Sequence, residues 1–169
     1  MIEQFGRELE LVGGQFVRCQ AEELAECIAN LLRQRGLEET MAWAEPYLPE
    51  GLLAGLQERG IRVSMAPSAN LPAGLTGALA GAAETATLCL PGGDGRPLSV
   101  SLLPQVHIAV LRPEDICLSL EELLNLPEVR QQAASALVTG PSRTGDIELT
   151  LTIGVHGPKE LIVVCVTEE

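Results

Sequence analysis

Positive charge is what this chain has least of. One lysine, Lys159, and singly scattered arginines make up 11 basic residues against 23 acidic ones, for a formal charge of -12. A nucleic-acid backbone or an anionic membrane surface would meet repulsion and no basic track, so both are disfavoured as partners. Aromatic residues are only 2% of the chain, and the core has to be assembled from Leu, Val, Ile and Ala. No apolar run is long enough to cross a bilayer, and the start, MIEQFGRELELVGG, carries neither a basic nor an apolar leader region. A cytoplasmic protein without membrane insertion is expected.

Closely spaced cysteines are missing too. Cys19, Cys27, Cys89, Cys117 and Cys165 are an odd number at wide gaps, with no C-x-x-C. Zinc ribbons and iron–sulfur clusters need thiolates at short spacing, so no cluster is expected on this chain, and the thiols are read as small buried hydrophobes in a reducing compartment. The two histidines, His107 and His156, offer no metal spacing, and no metal site is expected. Ser142 lacks the G-x-S-x-G elbow, which removes the hydrolase reading.

What the sequence does have is enough core for one compact domain over 1–169: 46% hydrophobic and 20% charged residues. Val12 to Cys19 reads as a strand and Ala21 to Arg35 as a helix, with Leu24, Ile28, Leu31 and Leu32 at helical spacing and Gly36 just past the end. Thr40 to Ala44 is a short apolar stretch, Pro49 to Gln57 a second helix stopped by Gly60, and Ile61 to Met65 is extended. This alternation predicts an α/β fold with a mostly parallel sheet, because parallel neighbours need crossovers. Thr85 to Leu90 and Pro97 to Leu103 look extended and joined by Pro91-Gly92-Gly93-Asp94-Gly95, a local antiparallel hairpin. Val106 to Leu111 is a buried strand, Leu120 to Ala134 a helix broken at Pro127, Ala136 to Val138 a strand, and Leu161 to Val166 a strand covered on both faces. Asp146 to Ile153 fits either a strand or a short helix.

Three places combine permissive backbone with polar groups. In Gly74 to Thr85 small residues dominate. Glycines such as Gly77 let backbone N–H groups approach an anion, with Glu84 and Thr85 beside them, although tight small-residue packing explains the segment at least as well. Gly140 to Glu148 follows a strand directly, and ligands of open α/β sheets collect beyond strand ends. There Arg143 suits a carboxylate or phosphate, with Ser142 and Thr144 as adjustable donors and Asp146 and Glu148 as carboxylates; a structural turn serves equally well as an explanation. Gly154-Val155-His156-Gly157-Pro158 places a proton-transfer group between glycines. His107, in an apolar strand, reads instead as a core residue with a backbone hydrogen bond.

Taken together, LTGALAGAAET at 75–85, SLLPQVHI at 101–108, SRTGDIE at 142–148 and GVHGP at 154–158 resemble the LUD domain of the LutC/YkgG family. The chain departs from the family pattern in a shorter start and in Gly145, where Ala is common. The resemblance implies a Rossmann-like sheet flanked by helices, as in ribose-5-phosphate isomerase, glucosamine-phosphate deaminase and coenzyme A transferases. It also implies the cluster-free subunit of a bacterial complex that oxidises L-lactate to pyruvate, with the clusters on iron–sulfur partner subunits of the LutA and LutB kind. In this reading Glu84, Asp146 and His156 are the acid–base candidates, and Gly77, Thr85, Ser142, Arg143, Thr144 and Glu148 hold a small carboxylate in one shared cleft. The alternatives are a self-sufficient isomerase or coenzyme A transferase-like enzyme using Glu84 as base or nucleophile, and a purely structural interaction module.

Overall fold

A computed structural model of the chain describes residues 1–144, 152–153 and 157–167. Helix α1 (Ile2–Leu11) buries Phe5 and Leu9 and turns through Gly13 into strand β1 (Gln15–Gln20). Helix α2 (Leu24–Arg33) follows a single 3-10 turn and buries Leu24, Ile28, Leu31 and Leu32, the stripe its spacing predicts. Then come β2 (Glu39–Ala42), α3 (Leu52–Glu58), β3 (Arg62–Ser64), β4 (Ala73–Gly77), β5 (Ala80–Ala82), β6 (Thr87–Pro91) and α4 (Ser99–Leu102). The remainder comprises β7 (Val106–Leu111), β8 (Ile116–Cys117), α5 (Leu120–Asn125), α6 (Pro127–Arg130), β9 (Ser135–Val138), β10 (Arg143–Thr144), β11 (Thr152–Ile153) and β12 (Glu160–Thr167).

Six strands form one all-parallel sheet in the order β1-β12-β7-β4-β2-β3. Both faces are covered. On one face α2 lies on β1, with Cys27 and Cys19 both packed against the core, and α3 packs on α2 with Gly55 against Ala25. Phe16 points the other way by strand alternation and meets Phe5 of α1 at 5.9 Å. A smaller sheet, β8-β5-β6-β9, shares that second face, its Gly81 lying against Phe5 and Leu111. Burial on two sides explains why all six residues of β7 and Leu161 to Val166 of β12 are buried and apolar, His107 excepted.

Several sequence readings need correction. Residues 97–103 are not a strand: α4 occupies 99–102, and β6 pairs antiparallel with β5 across a turn in which Ala86 has φ +51. The Gly-Pro loop closes only a local bridge, Gly93 to Arg96. Gly74 is the cause on the sheet side, since a Cβ there would lie 2.0 Å from the Val100 carbonyl oxygen. Without that Cβ, α4 sits directly on β4. Helix α1 and strand β4 were not foreseen, and the helix expected to reach Ala134 stops at Arg130, although its break falls at Pro127 as expected. Most of Asp146 to Ile153 lies outside the described residues, but Thr152–Ile153 is extended and pairs antiparallel with β10.

Candidate functional site

The parallel strands point their carboxyl ends into a cavity of about 490 Å³. Its floor is made of residues at or just past those ends: Trp43 after β2, Gly77 to Leu79 at the end of β4, Arg112 after β7 and Val166 of β12. Two segments wall it, 46–50 and the Pro91 to Pro97 loop. The Ala44 N–H donates to the Gly95 carbonyl at 2.8 Å and the Trp43 indole to the Pro97 carbonyl at 3.2 Å, so the loop is pinned over the end of β2. At Gly77 a Cβ would stand 2.5 Å from the Tyr47 carbonyl oxygen, so a glycine is what allows segment 46–50 to close down on β4.

The loop delivers Arg96 onto Tyr47, with the guanidinium 4.4 Å from the ring centroid. Its Nε is buried and has no hydrogen-bond partner among the described residues. Arg112, also at the cavity, is engaged otherwise: its Nε lies 3.2 Å from Asp115 and 3.8 Å from Glu114. Burial nevertheless pushes the Asp115 carboxyl above its usual range, against the pull of Arg112. Glu50 stands exposed on the rim.

The residues singled out in the sequence divide between two ends of the molecule. Gly77 lines the cavity. Thr85 shares a hydroxyl chain with Thr87 at 2.8 Å and, through it, Thr139 at 2.6 Å, which ties the 83–86 turn to the segment that follows β9. Glu84 accepts from the Leu120 N–H at 3.0 Å at the start of α5. The Ser142 N–H donates to the Pro158 carbonyl at 2.9 Å, and the Arg143 guanidinium donates to the Val12 carbonyl. Val12 precedes β1 and Pro158 precedes β12, so Ser142 and Arg143 stand at the amino edge of the six-stranded sheet. The reason is that β9 belongs to the smaller, mixed sheet and runs antiparallel to β6, away from the cavity. The Thr144 backbone pairs in β10. Asp146, Glu148 and His156 lie outside the described residues.

His107 is fully buried on β7 and bonds Thr76 Oγ1 through Nε2 at 2.9 Å, a side-chain partner where a backbone one was expected. Its Nδ1 has no partner among the described residues, and burial lowers its pKa to about 4. The cysteines are placed as packing residues. Cys89 and Cys165 are in the core, and burial together with Cys27 pushes the Cys19 thiol up to about 12. Among the described residues no three His, Cys, Asp or Glu side chains converge as a metal site, and no helix is long and apolar enough to cross a membrane.

The LUD domain family model matches residues 2–166. This chain belongs to that family. Among its relatives is Lactate utilization protein C of Deinococcus radiodurans, 30% identical over 170 residues, 98% of this chain and 79% of that protein. Lactate utilization protein C of Halalkalibacterium halodurans is 29% identical over 158 residues, 82% of this chain and 67% of that protein. An uncharacterized Neisseria meningitidis protein is 35% identical over 103 residues, but these make up only 43% of its length. A crystal structure of a duf162 family protein from Deinococcus radiodurans superposes with a TM-score of 0.72 over 98% of this chain and 96% of that one, at 23% identity. The fold described above is therefore shared with a solved structure.

Sequence reasoning reached Gly77 but not the residues that give this LUD domain's cavity its character: Trp43, Tyr47, Arg96 and Arg112. One signal was available. The single Trp and single Tyr of an aromatic-poor chain stand four positions apart, after the end of a strand.

Proposed function

We propose that this LUD domain chain is the cytoplasmic, cluster-free component of a lactate-utilisation system, acting with iron–sulfur partner subunits of the LutA and LutB kind that carry the electrons of L-lactate oxidation to pyruvate. The observation that carries this reading is similarity along nearly the whole chain to proteins named Lactate utilization protein C. The wide spacing of the five cysteines, with no C-x-x-C, supports it, because cluster ligands come at short spacing. The chain's own contribution is then to bind a small anion or to organise its partners. Glu84, Asp146 and His156 are the groups proposed for proton handling and Thr85, Ser142, Arg143, Thr144 and Glu148 for holding the ligand, while Gly77, the remaining candidate, stands apart at the carboxyl-end cavity.

The test is genetic and biochemical. Deletion of the gene in its host is expected to abolish growth on L-lactate while sparing growth on pyruvate, and the tagged chain is expected to bring down iron–sulfur proteins from the same cells. Complementation with Arg143→Ala reports whether the amino edge of the sheet takes part. Unchanged lactate consumption in the deletion strain would refute the reading.

A further inference from the structure

The cavity at the strand ends holds one positive charge without an ion-pair partner among the described residues. Arg112 is balanced by Asp115 and Glu114, and Glu50 is on the rim. Arg96 has no ion pair among the described residues; its guanidinium lies over the face of Tyr47. Its Nε is out of water and unbonded, an arrangement that costs free energy because a buried charged donor has lost its hydration without gaining an acceptor. Stacking on an aromatic ring fixes the plane of a guanidinium, and its terminal edge can then take two oxygens side by side. Trp43, Leu48, Val110 and Val166 supply apolar wall around the space. About 490 Å³ falls within the roughly 300–1,000 Å³ of sites that enclose small organic molecules, more than a three-carbon acid needs.

We propose that this cavity is a binding site for an organic monocarboxylate whose apolar body is larger than that of lactate, with Arg96 anchoring the carboxylate and Tyr47 positioning Arg96. One uncompensated guanidinium, an acidic rim residue and a net charge of -12 favour a single negative charge over a phosphate dianion. The location agrees with the general rule that ligands of open parallel sheets sit beyond the carboxyl ends of the strands. The site is independent of the lactate-utilisation reading: its occupant is set by this cavity, whatever system the chain serves.

Titration calorimetry on the full chain tests it with hexanoate, hexanamide, L-lactate and hexyl phosphate. Hexanoate is expected to bind at least about tenfold more tightly than hexanamide or L-lactate, the factor expected of one charge-assisted anchor plus the apolar body. Arg96→Gln is expected to remove that advantage while the protein stays folded by circular dichroism, and Arg62→Gln, on an exposed arginine at the start of β3, to leave it intact. Glu50→Gln, on an exposed side chain, is expected to tighten hexanoate severalfold, and it keeps the test decisive should Arg96→Gln fail to fold. Equal affinity for hexanoate and hexanamide, no saturable heat at about 10 mM hexanoate, or full binding by folded Arg96→Gln would overturn the proposal. Tighter binding of hexyl phosphate than of hexanoate would overturn the choice of a carboxylate. Growth on lactate enters none of these outcomes, so this proposal and the preceding one fail separately.

Discussion

His107 shows how one side chain writes a pH dependence into the fold. It is held neutral in the sheet, bonded to Thr76, and burial lowers its pKa from an ordinary 6.5 to about 4. The unfolded chain therefore binds a proton that the folded one refuses. The stability it contributes is complete above about pH 6.5 and is lost as pH falls toward 4. Between about pH 7 and pH 5 the urea unfolding free energy should fall by about 2 kcal/mol on this account, and His107→Gln should flatten that slope. Glu26, whose pKa is lowered mainly by its hydrogen bond to Arg59, adds its own loss only below the ordinary carboxylate range. The upper window thus belongs to the histidine. An unchanged slope in the variant would refute the assignment. The sequence did place His107 in the core, because an apolar strand surrounds it. It could not name Thr76 as partner, since that residue lies on β4, a strand the pattern did not reveal.

Among the elements, α5 shows how much of a short helix depends on its first turn. Ser119 accepts from the Glu122 N–H at 3.1 Å while Glu122 accepts from the Ser119 N–H, and Glu84 takes the Leu120 N–H from outside. Ser119→Ala should cost about 1 kcal/mol in chemical denaturation, with hydrogen exchange in 120–125 accelerated and exchange in β7 unchanged. Elements with a clean period were legible: α2 by its leucine stripe, β7 and β12 by continuous apolar runs. Strand β4 was not. Its sequence, Ala-Gly-Leu-Thr-Gly, has low strand propensity, and what makes it a strand is tertiary: α4 rests on Gly74, and segment 46–50 closes on Gly77. The candidate site was illegible for a related reason. Arg96 and Tyr47 are far apart along the chain, and only the pinned loop brings them into contact.

For the molecule as a whole, charge is the dominant long-range quantity. Twenty-three acids against 11 bases leave the folded state repelling itself. The ion pairs among the described residues, such as Arg62 with Glu39 and Arg112 with Glu114, are mostly exposed and contribute little. Raising NaCl from about 20 to about 300 mM shortens the Debye length several-fold, so the melting temperature should rise by a few degrees. A fall would mean that the ion pairs outweigh the repulsion. The same sheet separates two polar regions: the cavity with Arg96 at its carboxyl end and the Ser142 and Arg143 segment at its amino edge. Trp43, the chain's one tryptophan, belongs to the first, almost fully buried and hydrogen-bonded to the loop. Its emission is therefore a native optical gauge of that region alone. Lifting the 91–97 strap would wet the indole and move its emission to longer wavelength, while events at the opposite edge would leave it dark to the observer.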